Sequence, residues 1–274
     1  MQFDSNRAWT EALAEVKANR DVLLAVAGVF FLLPSLLSAV FLTDIQAQMM
    51  QNLGKQAVLE QIMSENTGTI FGVGLGSLLM QGVGYLAVMA LLGDRGRPTV
   101  GEALGRGLRA LPTLALATLL YFAAFFLISG IIGAVLSVLG AAGAALTMVI
   151  VLALLVYTAI KFSLVVPVVV KDGLANPVAA LARSWRLTRR NSVRLFGFFV
   201  LLMLGYLAIS FMGMVLLIGP LALVLGQGKA LTFIAGLVSG VIGAVASVML
   251  TAVLAGIHAQ LAGEDSAGAP SPFE

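Results

Sequence analysis

Residues 114–139 read LALATLLYFAAFFLISGIIGAVLSVL, Leu114 to Leu139, with no charged side chain, and after four small residues the run Ala144 to Val170 continues with Lys161 as its one charge. About 20 consecutive apolar residues are what a helix needs to cross a bilayer, so this stretch reads as two spans in succession. Working outward, Val22 to Leu42 and Ile70 to Leu92 come before it, and Leu195 to Leu225 and Leu231 to Ile257 follow. The two longest runs exceed one bilayer thickness, so part of each tilts, lies in the interface or continues beyond the membrane. The expected fold class is all-α, a polytopic membrane protein with six transmembrane helices in one domain over residues 1–262. Bulk composition agrees: 60% of the 274 residues are hydrophobic, 11% are charged and the mean hydropathy is +1.03, against about a quarter charged in a typical soluble domain.

Lys and Arg set the orientation, because short loops rich in them stay on the cytoplasmic side. Residues 1–21 carry Arg7, Lys17 and Arg20; residues 93–113 carry Arg95, Arg97, Arg106 and Arg109; residues 171–194 carry Lys171, Arg183, Arg186, Arg189, Arg190 and Arg194. These are thirteen of the sixteen, with Lys55 and Lys229 on the opposite side and Lys161 within the fourth run. Both termini are therefore expected in the cytoplasm, with the chain multi-pass in the inner, plasma membrane. The first apolar run follows about 20 mostly polar residues that include Asp4, Glu11, Glu15 and Asp21, whereas a signal peptide opens with a short basic segment, so the N-terminal segment is expected to stay attached. Residues 263–274, with Pro270 and Pro272, read as a disordered cytoplasmic tail. Residues 44–69, with Asp44, Lys55, Glu60 and Glu65, form the one sizeable external loop, and its scattered apolar residues suggest a short surface helix.

A short motif recurs. Ala103-Leu-Gly-Arg-Gly-Leu-Arg109 and Ala180-Leu-Ala-Arg-Ser-Trp-Arg186 share Ala-Leu-small-Arg-x-x-Arg, and Glu11-Ala-Leu-Ala14 echoes Glu102-Ala-Leu-Gly105. Each precedes a span, which suggests three cytoplasmic helices, each leading into a two-span hairpin. Thr99 with Glu102 has capping-box spacing, and Asn176 followed by Pro177 fits an N-cap and first helical position. At 3.6 residues per turn over 177–194, Arg183, Arg186, Arg190 and Arg194 share one face while Val178, Leu181 and Trp185 share another. A basic amphipathic helix of this kind can lie at the bilayer surface with its arginines on anionic head groups and Trp185 at the polar boundary; the same arginines can also serve only to fix topology. Arg183, Trp185, Arg186, Arg190 and Arg194 are the candidate lipid- or partner-binding residues.

Around this segment the chain resembles the membrane-domain family named after glycerophosphoryl diester phosphodiesterase. The likeness lies in Lys161-Phe-Ser-Leu-Val-Val-Pro167, in Ala180-Leu-Ala-Arg-Ser-Trp-Arg-Leu-Thr-Arg-Arg-Asn191 and in Arg194-Leu-Phe-Gly197, and covers mainly residues 158–200. Members often carry Gly where Arg190 stands and an aromatic where Val193 stands. The resemblance implies a bacterial inner-membrane protein of poorly defined function, and the enzyme activity in the family's name belongs to a soluble domain for which this chain has no room.

Polar chemistry is sparse. The chain has no cysteine, which removes disulfides, thiolate metal sites and a cysteine nucleophile. None of the 13 acidic residues lies well inside a span and the single histidine, His258, stands at the end of the last one. No phosphate loop, zinc spacing or nucleophile elbow is present, so no enzyme activity, metal or cofactor is expected. Lys161, with Gln81 and Tyr157, is the candidate intramembrane polar group. It lies ten residues before Lys171, about 15 Å along an ideal helix, and either lines a cavity or, if the helix tilts or breaks before Pro167, snorkels to the interface. Tyr85, Tyr121 and Tyr206 could join it or serve as helix-packing hydrogen bonders. Small residues spaced by four (Gly72 with Gly76; Ser129, Gly133 and Ser137; Ser239, Gly243 and Ser247) suit close helix contact, within the monomer rather than across a dimer.

The expected function is that of a non-catalytic membrane protein organising lipids or partner proteins at the cytoplasmic face; the alternative is a transporter or export component for a small or lipidic solute. The expected partners are membrane lipids, anionic ones among them, and a membrane or cytoplasmic protein, with nothing pointing to nucleic acid.

Overall fold

A computed structural model describes residues 3–92, 99–226 and 228–267, and its described residues are helical with no strand. In chain order the helices are α1 (Ser5–Ala18), α2 (Arg20–Ala27), α3 (Leu33–Phe41), α4 (Thr43–Gln51), α5 (Gln56–Glu65), α6 (Thr67–Leu91), α7 (Val100–Leu136), α8 (Gly140–Phe162), α9 (Val165–Lys171), α10 (Pro177–Thr188), α11 (Ser192–Gly213), α12 (Gly219–Leu225) and α13 (Lys229–Ala267). π-helical turns at Gly28–Leu32 and Met214–Ile218 join α2 to α3 and α11 to α12. Five helical stretches are long and apolar enough to cross a membrane: Arg20–Phe41, Thr67–Leu91, Val100–Lys171, Ser192–Leu225 and Lys229–Gly263. This is consistent with a membrane protein.

The third stretch is 72 residues long and is not straight. At Gly140, φ is +59°, a backbone conformation that suits glycine, and after the short 3-10 turn Ser137–Leu139 the chain reverses so that α8 packs back along α7. Three of the expected boundaries shift. The run 144–170 is broken at Ser163–Leu164: Pro167 has no N–H for a continuous helix but is tolerated in the first turn of a new one, here α9. The external segment forms two short helices, α4 and α5, rather than one. Helix α13 continues to Ala267, past the expected start of the tail at 263, while Pro270 and Pro272 lie outside the described residues, as do Arg95 and Arg97.

Local signals place the helix starts. Asp4 accepts from the N–H groups of Asn6 (2.9 Å) and Arg7 (3.1 Å) to cap α1. Thr99 and Glu102 complete the capping box on α7, at 3.3 and 2.9 Å. Asn176 accepts from Val178 (3.0 Å) and Ala179 (3.2 Å) ahead of Pro177. Each cap satisfies backbone donors that the helix itself leaves open.

The buried core gathers at one end of the bundle. On α6 every residue from Leu86 to Leu91 is buried, on α7 burial stops at Ala117, and on α13 it is densest from Thr251 to His258. Helices α2–α3, α6 and α13 pack together, whereas the most apolar windows of Val100–Lys171 and Ser192–Leu225 are only 6% and 0% buried. Lipid tails are as apolar as Leu, so nothing drives such surfaces together in a bilayer, and they can remain spread.

The repeated motif has a structural counterpart. Ala12, Ala103 and Ala180, which occupy the same place in the three copies, are each buried to 1% exposure or less. In each copy this face meets a helix that ends the preceding unit: α7 packs on α6, α10 on α8 and α9, and α1 on α13. A Cβ on Gly107 would already touch Leu86 at 3.2 Å, and one on Gly256 would lie 3.5 Å from the backbone oxygen of Ala8. The three lead helices thus close a ring in which the first unit docks on the last. Small residues are required there because backbones approach closely.

Candidate functional site

Lys161 stands on the last turn of α8 and is 3% exposed. Its Nζ donates to Ser192 Oγ at 2.7 Å and lies 5.4 Å from the ring centre of Tyr157 and 5.3 Å from that of Trp185. Its backbone oxygen accepts from Ser184 Oγ at 2.8 Å and Thr188 Oγ1 at 3.3 Å. Ser192 Oγ in turn donates to the Thr188 carbonyl at 2.8 Å. Lys161 therefore ties α8 to α10 and α11. Among the described residues no carboxylate lies within ion-pair distance of its ammonium, which is held by a hydroxyl and two aromatic faces, the latter worth about 2 kcal/mol when desolvated.

A consequence can be measured. Lys161→Met, which keeps the length and drops the charge, is expected to leave the thermal midpoint in detergent within a few degrees, since an apolar side chain of similar shape generally replaces a buried charge at little cost. Lys161→Ala, which leaves a void under Trp185, is expected to cost about 2 kcal/mol.

Trp185 is the wall between this cluster and an open groove. Its ring packs against Tyr157 and Phe162, both at 5.7 Å between centroids. On the other side the groove, of about 900 Å³, is lined by Asp172, Leu174, Ala179, Arg183, Trp185 and Arg186 among others. Asp172, just past α9, places Oδ2 3.3 Å from Arg183 Nε and Oδ1 3.0 Å from His258 Nε2 on α13. The histidine contact is close, but its angle does not make a hydrogen bond. Two guanidinium groups and one indole against one carboxylate make an anion-accepting surface with an amphipathic edge, the combination that suits a phosphate at the rim of an apolar phase. Removing the carboxylate isolates the cations' contribution: Asp172→Asn is expected to strengthen binding of a short-chain anionic phospholipid about fivefold, measured by titration of the detergent-solubilised chain.

Arg183 and Arg186 line the groove together with Trp185, which the helical spacing sets on the opposite face, and the other two arginines do not join them. Helix α10 ends at Thr188 in a turn through Asn191, so Arg190 stands in that turn and Arg194 in the first turn of α11. The single face read from 177 to 194 required one unbroken helix. The buried face of α10 is Ala180, Ser184, Leu187 and Thr188, which lies between the arginines and the Val178–Leu181–Trp185 side. Tyr157 joins Lys161, but Gln81 does not: α6 packs on α3, α7, α9 and α13, and α8 on α7, α10 and α11. Tyr85 instead bonds Ser247 at 3.1 Å and Tyr121 bonds Thr158 at 3.0 Å, each across a helix pair.

Asp172 and Ser192 belong to the site and were not singled out in the sequence. Asp172 falls in a short loop beside Lys171, where a carboxylate is unremarkable, and Ser192 becomes an acceptor only because the turn at 189–191 brings α11 back over Lys161. No protein-family model matches this chain, and no curated protein or solved structure matches it either.

Proposed function

We propose that this chain is a non-catalytic integral inner-membrane protein of six crossings that gathers anionic phospholipid head groups in the groove beside α10, at the cytoplasmic face. The observation that carries this reading is the groove itself, which sets Arg183 and Arg186 beside Trp185 and the apolar Leu174, Ala179 and Ala182. Six crossings are supported by the reversal at Gly140, which turns the longest apolar stretch into the pair α7 and α8. A cytoplasmic placement of both termini is supported by the packing of α1 on α13 and by the contact of His258 with Asp172, which put α1, the His258 region of α13 and the arginine-rich segment at the same end of the bundle.

Kinship with the glycerophosphoryl diester phosphodiesterase membrane-domain family is part of the proposal. Lys161, Ser184, Trp185 and Thr188, which fall in the motifs that carry the resemblance, form one packed cluster, and Asn191 at the motif's end is buried and accepts from the Phe3 N–H at 3.1 Å. Such a cluster is what a shared motif would maintain if the motif holds the groove's wall in place.

The test is to reconstitute the full chain into nanodiscs of mixed zwitterionic and anionic phospholipid and measure which lipids remain after gentle extraction. Enrichment of anionic phospholipid over the bulk mixture is the expected result. Retention in the bulk ratio would sink the proposal, and flux of a solute across proteoliposomes would favour the transporter reading instead.

A further inference from the structure

Helix α13 packs closely on the first apolar stretch and on its lead helix, and two of these contacts are made through glycines. At one place, a Cβ on Gly240 would lie 2.8 Å from Leu32 Cδ1 and 3.0 Å from Ser35 Oγ, and one on Gly236 would meet the Ala39 methyl. At the other, Gly256 faces the Ala8 backbone at 3.5 Å. Between these contacts the chain passes through the π-helical turn Gly28–Leu32, a widening of the helix that displaces side chains from the regular register. A groove of about 290 Å³ runs beside this turn, lined by Leu23, Gly28, Leu32, Val241 and Val248 among other apolar residues, with Arg20 as its one charged residue.

We infer that this groove holds an acyl chain of a membrane glycerophospholipid whose phosphate sits on Arg20. The inference rests on α2–α3 and α13 lying in the bilayer, but not on the anionic-lipid groove beside α10. Length is one argument: from Arg20 to Leu32 the lining extends about 18 Å at 1.5 Å per residue, close to one leaflet's share of a hydrocarbon core about 30 Å thick. Charge is the other. A guanidinium offers five donors, and the 3.4 Å contact of Arg20 Nε with Asp21 leaves others for a phosphate on a side chain that is 76% exposed. A peptide segment in the groove would bury backbone donors and acceptors against a lining that offers them no partners, whereas an acyl chain has none to satisfy.

Gly28 supplies the test, because a Cβ built there meets nothing within 4 Å, so a larger side chain can grow into the opening without displacing the helices. Full-length protein is extracted from membranes in mild detergent, and retained phospholipid is counted by native mass spectrometry. Beyond any lipid held beside α10, the parent chain is expected to keep one further phospholipid, Gly28→Leu to lose at least about tenfold of that occupancy, and Arg20→Gln about fivefold. Gly243→Leu, at another glycine with open space on α13, is expected to keep the lipid. Occupancy in Gly28→Leu equal to the parent's, or a retained species without phosphate, would overturn the inference. Arg20→Gln changes only an exposed side chain, so it decides the phosphate contact even if Gly28→Leu folds poorly. Membrane flotation separates the two levels: a chain that does not float overturns the bilayer reading as well, whereas a floating chain whose Gly28→Leu and Arg20→Gln variants keep as much phospholipid as the parent overturns only this groove.

Discussion

Arg183→Gln combined with Arg186→Gln is expected to weaken binding of anionic phospholipid about thirtyfold while leaving binding of zwitterionic phospholipid nearly unchanged. A basic side chain near an anionic surface is worth about 1 kcal/mol, so two contribute about 2 kcal/mol, and each 1.4 kcal/mol is a factor of ten. The effect should shrink as salt rises, because exposed charges more than a Debye length of about 10 Å apart are screened at 0.1 M. Arg183 is partly held by Asp172, so the single variants should be unequal, with Arg186→Gln the larger. Trp185→Leu supplies a contrast: it removes an interfacial ring that also covers Lys161, and should lower stability as well as binding. Titration with a short-chain anionic phospholipid at two salt concentrations measures all three. Equal affinity of the double variant and the parent would show that these arginines fix topology and nothing more.

Gly240→Leu is expected to lower stability by about 2–3 kcal/mol, the upper part of the usual cost of overpacking. Gly240 is buried, and the atoms its new side chain would strike belong to Leu32 and Ser35 on the neighbouring helical segment. That helix cannot yield locally, since Gly236 sits equally tightly against Ala39 one turn away. Gly243→Leu serves as the control on the same helix, with nothing within 4 Å of its Cβ, and should melt with the parent. Thermal unfolding in detergent, followed by helical circular dichroism, distinguishes the two. Equal melting of both variants would mean that α3 and α13 are not held at this contact.

The glycine pair shows how far the sequence could be read. Four-residue spacing of small residues marked α13 as a contact helix, and the motif chosen was Ser239, Gly243 and Ser247. The face that packs on α3 is Gly236 and Gly240, continued by the buried Ala244 and Val248, while Ser247 of the first row meets Tyr85 on α6. Both rows have the same period and similar residues, and they are one residue, about 100°, apart around the helix; in an apolar segment hydrophobicity cannot rank them, because the lipid-facing and protein-facing sides are equally apolar. Only the neighbouring helix distinguishes one from the other. Polar landmarks were more legible: the capping residues Thr99, Glu102 and Asn176 act where their spacing placed them, because a cap is a local interaction that needs no partner from elsewhere in the chain.

Lys161 divides in the same way. Its place within the fourth apolar run, six residues before Pro167, is written in the sequence, and the break that follows Phe162 obeys the chemistry of proline. Tyr157 beside it, four residues earlier on the same helix, is equally local, but the burial of Lys161 against Trp185 and Ser192 is not, since those lie on α10 and α11, which the turn at 189–191 brings together over it.

By itself the sequence determined that this protein is all-helical, which stretches are apolar enough to cross a membrane, where its caps form and which end carries its arginines, because each depends on composition or on residues within one or two turns of helix. The tertiary structure decided that Arg183 and Arg186 share a groove with Asp172 while Arg190 and Arg194 do not, that three buried alanines close a ring of lead helices, and which glycines face a neighbour. Those outcomes depend on which helices meet, and among surfaces of equal hydrophobicity only the shape of the packed backbone makes that choice.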